Sequence, residues 1–473
     1  MLSQETKPKP TQVGFYSCKN TQNCIHYEVL YYEVLYYTSM ILFTSVFLLC
    51  FTYIIYHNRN IGLLLFFFLL PTYLVRFTIL TLPTTLLELL FFITTATILF
   101  HPKKGLWHTR QHIFTFSYYK TFFAKHPSLV LATTLFCISS TIAIGVALDT
   151  TKAIGAWKAF FIEPVVFAYL LAHVIEKKRD IEYILFGIVL SGLATSVLAI
   201  YQHFTGWMVP WDFWENRNTY RVTGWYGFPN GVGIYLAPII SFAGYLIATT
   251  ATKTKKHVRD HAQLWLSIIC IPLALLSIIY AKSTGPLIGV AAAVGLWFLL
   301  HKKTRTWTIV CIVLAGMFFF SLPAENPIKK EVLAQDRSGQ IRKDMWAESV
   351  EYLRVHPITG AGLMSYQKEI WPYRIDKWIE VFHHPHNTIL TMWMNIGFFG
   401  MFAFVWICVW LARVSLQHIV KKQSMAHIYI LCVLTTFLVM GLVDSPYIKN
   451  DMAMLFWLLP AWAVYSCTKK STQ

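Results

Sequence analysis

Residues 129–148 read LVLATTLFCISSTIAIGVAL, a run of twenty residues without a charged side chain. As an α-helix, such a run rises about 30 Å, which is the thickness of the hydrocarbon core of a bilayer. The 473-residue chain around it is 56% hydrophobic and only 13% charged. Long apolar runs of this kind recur along the chain, and a soluble core does not need them. The sequence therefore predicts a polytopic membrane protein.

Apolar segments of similar character predict an all-α membrane bundle of about 12–13 transmembrane helices. Four regions follow: an N-terminal segment, 1–37; a first part of the bundle, 38–323, with an external loop at 204–230; a long extracytoplasmic loop, 324–386; and a second part with a short basic tail, 387–473. The predicted spans are 38–56, 61–79, 85–100, 129–148, 158–175, 181–203, 231–250, 263–281, 284–301, 306–323, 387–412, 425–443 and 451–467.

The net charge of +17 follows the predicted topology. The linkers on the same side as 101–128, counted with Arg59 and the C-terminal tail, hold 21 Lys and Arg residues, whereas the short linkers on the other side hold 5. Basic residues collect on the cytoplasmic side of membrane proteins. The asymmetry predicts that the C-terminus is inside, that 324–386 is outside, and that the charge does not indicate a nucleic-acid partner.

Part of the long loop has helical periodicity. Ile341, Met345, Trp346, Val350 and Leu353 fall on one stripe, which predicts an amphipathic helix against the bundle or in the membrane interface.

Ionisable residues cluster near the predicted outer ends of the spans, where charged groups usually pair or line a wet cavity. Arg76 and Glu88 are expected to pair structurally on adjacent helices. Cys18 and Cys24 can form a disulfide if the N-terminus is outside. The cluster comprises Arg76, Glu88, Glu163, Lys282, Asp444 and Asp451, and it suggests a polar cavity that opens outward.

Residues 383–400, HHPHNTILTMWMNIGFFG, join the long loop to an apolar span. An imidazole here can accept a hydroxyl proton near neutral pH. Asn387 is a candidate N-cap, and Gly397 and Gly400 allow a neighbouring helix to approach closely. Three histidines in four residues also raise the possibility of a metal, but Pro385 and the lack of a second His or Cys cluster argue against one. We therefore predict no metal and no cofactor.

The order His386-Asn387, nine residues, Gly397, two residues, Gly400 resembles the signature of the O-antigen ligase and O-antigen polymerase family. This resemblance implies a GT-C-like membrane glycosyltransferase, metal-independent, that uses a glycan linked to a polyprenyl diphosphate. It implies a catalytic or substrate-orienting role for His386, with Asn387 beside it.

A second stretch resembles another motif of that family. Arg221 is followed by Gly224 and by the pair Pro229-Asn230. A guanidinium offers a permanent charge and a planar set of donors for diphosphate oxygens, so Arg221 and Asn230 are candidate substrate-binding residues. Pro and Asn are also ordinary residues at a helix start.

A third stretch, 281–286, departs from the family. Thr284 stands where many relatives have Arg, which leaves the second cation open. Lys282, Arg337 and Arg342 are the candidates. A short external turn with a snorkelling Lys282 explains the stretch equally well.

The resemblance implies transfer of a glycan from undecaprenyl diphosphate to an acceptor on the outer side of the cytoplasmic membrane. A lipid, a growing polysaccharide and a protein all remain open as the acceptor. Two alternatives also remain: a secondary transporter of a small anion such as bicarbonate, and a non-catalytic protein that binds polyprenyl lipids. No internal repeat of the transporter kind is evident in the sequence.

Overall fold

The computed structural model describes residues 42–79, 82–254, 257–378, 381–422 and 424–468. The predicted segment 1–37 and the cysteines Cys18 and Cys24 lie outside this part of the chain. The chain divides into a first unit that ends at Tyr53 and a second unit that begins at Ile54. The site described below lies entirely within the second unit.

The predicted all-α membrane fold is confirmed, because the described part of the chain is 77% helical with almost no strand. Between the helices lie 3-10 turns at Leu70–Leu74, Gln111–Phe114 and Trp371–Tyr373, a π-helical turn at Trp157–Ile162, and two strands, β1 (Arg76–Ile79) and β2 (Leu82–Thr85). The helices are α1 (Leu42–His57), α2 (Arg59–Phe68), α3 (Leu86–Phe100), α4 (Leu106–Thr109), α5 (Phe116–Lys125), α6 (Pro127–Val146), α7 (Thr150–Ala156), α8 (Glu163–Val174), α9 (Lys178–Thr205), α10 (Asp212–Glu215), α11 (Pro229–Ala251), α12 (Val258–Tyr280), α13 (Thr284–Leu300), α14 (Arg305–Ser321), α15 (Pro327–Val332), α16 (Arg337–Val355), α17 (Tyr366–Glu369), α18 (Thr388–Lys422), α19 (Met425–Met440) and α20 (Asn450–Thr468).

Six helical segments of the described chain are long and apolar enough to cross a membrane by themselves. Six shorter apolar helices accompany them, namely α1, α2, α3, α13, α14 and α19. The long segments are α6, the continuous stretch Thr150–Val174, α9, α11, α12 and α18. The protein is therefore a multi-pass membrane protein.

The predicted span 61–79 is helical only as far as Phe68. Pro71 lies in the 3-10 turn that follows, and proline cannot donate the backbone bond that would continue an α-helix. The chain then enters an antiparallel hairpin in which Arg76 pairs with Thr85.

Arg76 is consequently on a strand, which corrects the expectation of an ion pair with Glu88 between adjacent helices. Glu88 instead forms an ion pair with Lys158 in the π-helical turn. Arg76 and Glu88 do line one pocket of about 440 Å³, together with Lys152 and Asn450.

Close helix contacts hold the second unit together. α11 packs on α12 and α9, α13 packs on α19, and α18 packs on α6. In lipid, helices associate through packing and polar contacts rather than through escape from water. Gly187 illustrates this, because a Cβ there would lie 2.2 Å from the carbonyl oxygen of Leu64.

The long loop contains the predicted amphipathic helix, which is α16. Met345 and Leu353 of the predicted stripe are buried, whereas Val350 is 42% exposed. The loop also folds on itself: Tyr352, Leu353, Ala361, Tyr366, Ile370 and Met394 form a small apolar core between α16 and α18.

α18 is kinked at Gly397, which has φ +70° and ψ 180°. A Cβ at Gly397 would lie 2.2 Å from the carbonyl oxygen of Ile358, and the same carbonyl accepts from Phe398 N at 3.0 Å. The close approach that glycine permits here is therefore to the backbone of the long loop. This corrects the expectation of a neighbouring helix.

Candidate active site

His386 lies against Asp444, at the point where the long loop meets α18. The Nδ1 atom of His386 is 3.2 Å from Oδ1 of Asp444, in the turn between α19 and α20. A carboxylate only accepts, so the imidazole proton is on Nδ1 and the lone pair is on Nε2. Backbone bonds fix the two segments, since Thr388 N donates to the carbonyl of Gly441 at 2.8 Å.

Asn387 supports this junction. Its Oδ1 accepts from Leu390 N at 3.1 Å, which confirms the predicted N-cap of α18. Its Nδ2 donates to the carbonyl of Leu442 at 3.1 Å. Both polar atoms of the amide therefore act within the protein, and they hold the helix start against the turn that carries Asp444.

The histidine run has a fixed local geometry. His386 is in the left-handed region with φ +48°. Its backbone N–H donates to Nδ1 of His384 at 3.3 Å, and the two rings meet edge to face. Burial, followed by the charge of His386, lowers the pKa of His384 to about 3. His384 is therefore neutral at physiological pH. Trp346 of α16 donates to the carbonyl of Pro385 at 2.8 Å, which ties α16 to this run.

Asp444 is 5% exposed and has partners on both carboxylate oxygens. Oδ1 also accepts from Ser445 N at 2.8 Å, and Oδ2 accepts from Nδ2 of Asn230 at 3.1 Å. Burial alone would raise the pKa of Asp444. The charge and hydrogen bond of His386, the neighbouring His384 and the Ser445 N–H together outweigh it and hold the pKa well below its ordinary value. The carboxylate is therefore ionised at neutral pH.

Arg221 continues the network on the other side of Asn230. Its Nη2 donates to Oδ1 of Asn230 at 3.0 Å and to the carbonyl of Lys282 at 3.1 Å. Its Nε donates to the carbonyl of Ala281 at 2.8 Å. Nη1 forms no bond within the described chain, so its two hydrogens remain for a ligand. Burial, and after it the charge of Arg342, lowers the pKa of Arg221. Two guanidinium groups therefore face the same region.

Arg342 is the candidate second cation that reaches this region. Its Nε donates to the carbonyl of Val443 at 3.0 Å, directly before Asp444, and its Nη1 donates to Oγ of Ser338 at 2.8 Å. Arg337 is exposed at the start of α16. Lys282 is exposed with φ +48°, and it contributes its backbone carbonyl to Arg221.

The hub of the network, Asp444, was placed by sequence reasoning only among the outer ionisable residues. The available signal was a carboxylate in a short linker between two apolar spans.

A buried polar cluster follows Asp444 in the same turn. Lys449 is 3.5 Å from Asp451 and lies 3.9 Å above the ring of Tyr226.

One ligand atom each from His384, His386 and Asp444 lies within 4.8 Å of the others. The sequence did not predict this potential metal-ligand set. Arg221 and Arg342 add positive charge beside it, and N–H donors already occupy the oxygens of Asp444. This environment favours an anion over a further cation.

Helix ends and loops of a multi-pass membrane protein thus bring an imidazole, a carboxylate and two guanidinium groups together. The comparisons agree with the sequence motif. Residues 269–405 match the family model described as O-antigen ligase. The match includes His386, Asn387, Lys282 and Arg342, whereas Arg221, Asn230 and Asp444 lie outside it. No curated protein matches the chain. The family indicates a glycosyltransferase-like enzyme that acts in a membrane.

Proposed function

We propose that this protein transfers a glycan from undecaprenyl diphosphate to a hydroxyl group of an acceptor, at the outer face of the cytoplasmic membrane. The observation that carries the proposal is the connected row His386, Asp444, Asn230 and Arg221. It joins a group that can accept a proton to a group that can hold a diphosphate.

The acceptor is activated by His386. The Nδ1–H of His386 donates a hydrogen bond to Asp444, so the lone pair on Nε2 is the base for the acceptor hydroxyl. The acceptor oxygen forms a bond to the anomeric carbon while the bond from that carbon to the diphosphate oxygen breaks. The hydroxyl proton moves to Nε2, and the ionised Asp444 stabilises the resulting imidazolium. A positioned base of this kind contributes about 10²–10⁴ to the rate.

The leaving diphosphate is stabilised by Arg221 and Arg342. Neither guanidinium forms an ion pair with a carboxylate in the described residues, and each keeps N–H groups unused by the protein. A charge-assisted hydrogen bond contributes roughly 1.5–3 kcal/mol. Because negative charge grows on the leaving oxygen, such bonds are stronger in the transition state and increase the rate.

The outward location is supported by the basic residues. The linkers at the other end of the helices hold 21 Lys and Arg residues, against 5 in the short linkers on the site's side. By the positive-inside rule, the site faces out, and a lipid-linked donor reaches it from the membrane.

Reconstituted protein with undecaprenyl-diphosphate-linked oligosaccharide tests the proposal. We expect glycan transfer to a supplied lipid, glycan or protein acceptor, and its loss in His386→Ala. Uptake of bicarbonate into the vesicles without transfer would favour a transporter. Donor binding without transfer under any acceptor would favour a non-catalytic lipid-binding protein. Either result would refute the proposed glycan-transfer activity.

A further inference from the structure

A polar pocket of about 440 Å³ lies beside the β1–β2 hairpin and takes no part in the chemistry proposed at His386. Its walls come from the hairpin, from α7 and the π-helical turn, from the long loop at Met364 and from Asn450 at the start of α20. The volume is that of a small-ligand site. We propose that this pocket binds an acidic sugar unit of the glycan substrate. The inference rests on the proposed function only for the source of that sugar.

The pocket borders the same turn of the chain as the candidate active site. The turn between α19 and α20 carries Asp444, which bonds His386, and it ends at Asn450, which lines the pocket. The N–H of Met364 donates to Oδ1 of Asn395 at 3.3 Å, two turns from the start of α18. One turn of the chain therefore contributes to both places, which suits a substrate that carries several sugars.

The register of the hairpin places polar side chains in one wall. Arg76 is directly opposite Thr85, and Thr78 is directly opposite Pro83. Opposed residues, and residues two apart, share one face of a hairpin, so these four line the pocket together. Oγ1 of Thr85 accepts from Glu88 N at 3.2 Å, which leaves its hydroxyl hydrogen to donate. This wall therefore offers a guanidinium and hydroxyl groups to a ligand.

Arg76 gives the pocket a positive charge without a counter-ion. Its side chain is exposed, and within the described residues its guanidinium forms no ion pair with a carboxylate. The carboxylate in the wall, Glu88, is 5% exposed and already forms an ion pair with Lys158. Lys152, which also lines the pocket, is 3.3 Å from Asp149. A guanidinium binds a carboxylate or phosphate through two parallel hydrogen bonds. The charge therefore favours an acidic sugar over a neutral one.

The other wall suits the ring of a sugar. Gly155 and Ala159 leave space, and Phe160 adds an aromatic side chain. A Cβ at Gly155 would already touch Cγ of Pro83 at 3.5 Å, so a large side chain on this wall would fill the pocket. The amide of Asn450 can both donate to and accept from sugar hydroxyls. A π-helical turn, which forms part of this wall, is rare and frequently marks a functional site.

Saturation-transfer NMR of the full-length protein in detergent, with digalacturonate as the ligand, tests the pocket. We expect saturable binding in the wild type and binding of the neutral disaccharide galactobiose that is weaker by about tenfold or more. Arg76→Ala should weaken digalacturonate binding by a similar factor. Arg354→Ala is the matched control, because Arg354 is an exposed arginine of α16 that pairs with Glu351 and does not line the pocket. Equal affinity for the two sugars, or an unchanged affinity in Arg76→Ala, would refute the proposal.

A second variant tests the cavity rather than the charge. Ala159→Trp should fill the pocket and abolish digalacturonate binding, and retained affinity in a folded Ala159→Trp protein would contradict the site. Glycerol 1-phosphate stands for the headgroup of an anionic phospholipid. If it binds as tightly as digalacturonate or more tightly, the pocket is a lipid-headgroup site and the proposal fails. None of these measurements uses glycan transfer. Sugar binding by a protein that transfers no glycan would therefore uphold the pocket and refute only the proposed function.

Discussion

Asn230 and Asp444 are 214 positions apart in the sequence, yet Nδ2 of the amide donates to Oδ2 of the carboxylate at 3.1 Å. The same amide accepts from Arg221 through its oxygen. One side chain thus links the proposed base to the proposed diphosphate site.

Asn230→Asp should impair transfer more than Asn230→Ala. The aspartate removes the donor to Asp444 and places a second negative charge beside it, whereas alanine removes only the hydrogen bonds. The added charge also favours the protonated imidazole, so the acid limb of the pH–rate profile should move to higher pH in Asn230→Asp. Identical pH–rate profiles for the two variants would argue against electrostatic coupling between position 230 and His386.

His386→Ala should lower the turnover number by about 10²–10⁴ and leave donor binding intact. His383→Ala is the matched control, because His383 is an exposed imidazole in the same run. Initial rates and donor binding by the purified proteins decide this. Near-normal turnover in a folded His386→Ala protein would eliminate its catalytic role.

The rate in the wild type should fall on acidification, because a protonated imidazole cannot accept the hydroxyl proton. His384 does not contribute, since its pKa of about 3 keeps it neutral at physiological pH. His384→Gln should therefore leave the midpoint of the acid limb in place. A midpoint that moves in His384→Gln would show that the acid limb does not report protonation of His386 alone.

Arg221→Lys should reduce transfer by one to two decades, on the basis of roughly 1.5–3 kcal/mol for the contact. Lysine cannot satisfy the carbonyls of Ala281 and Lys282 and the amide of Asn230 while it also presents donors to a phosphate. Arg342→Lys should lose activity for the same reason, and Lys282→Ala should lose less. Unchanged kinetics in Arg221→Lys would show that its charge alone suffices.

The long loop should be accessible from outside the cell. In a cysteine-free background, Gln340→Cys on α16 should react with an impermeant thiol reagent in intact cells. Lys303→Cys, which is exposed between α13 and α14, should react only after lysis. The opposite labelling pattern would invert the topology and remove the site from the outer face.

Local sequence patterns predicted much of this structure. Apolar runs predicted the helices, the stripe through Met345 and Leu353 predicted α16, and Asn387 predicted the start of α18. The hairpin at Arg76 and the kink at Gly397 depend on contacts with distant backbone. The position of Asp444 likewise depends on how α18, α19 and α11 pack together, and no local sequence pattern predicts that packing. The motif led to His386, but not to the carboxylate that orients it.

α16 holds the two loops that carry His386 and Asp444 through two hydrogen bonds. Trp346 binds the carbonyl of Pro385 beside His386, and Arg342 binds the carbonyl of Val443 beside Asp444. If α16 moves aside to admit a bulky glycan, it releases the histidine and its carboxylate in the same motion. We therefore expect the site to be catalytically inactive when α16 has moved aside and active when α16 is in place. The donor would then be protected from hydrolysis by water until both substrates are bound. Modification of His386 by diethyl pyrocarbonate, faster in the empty protein than in the donor-bound protein, would report this gating.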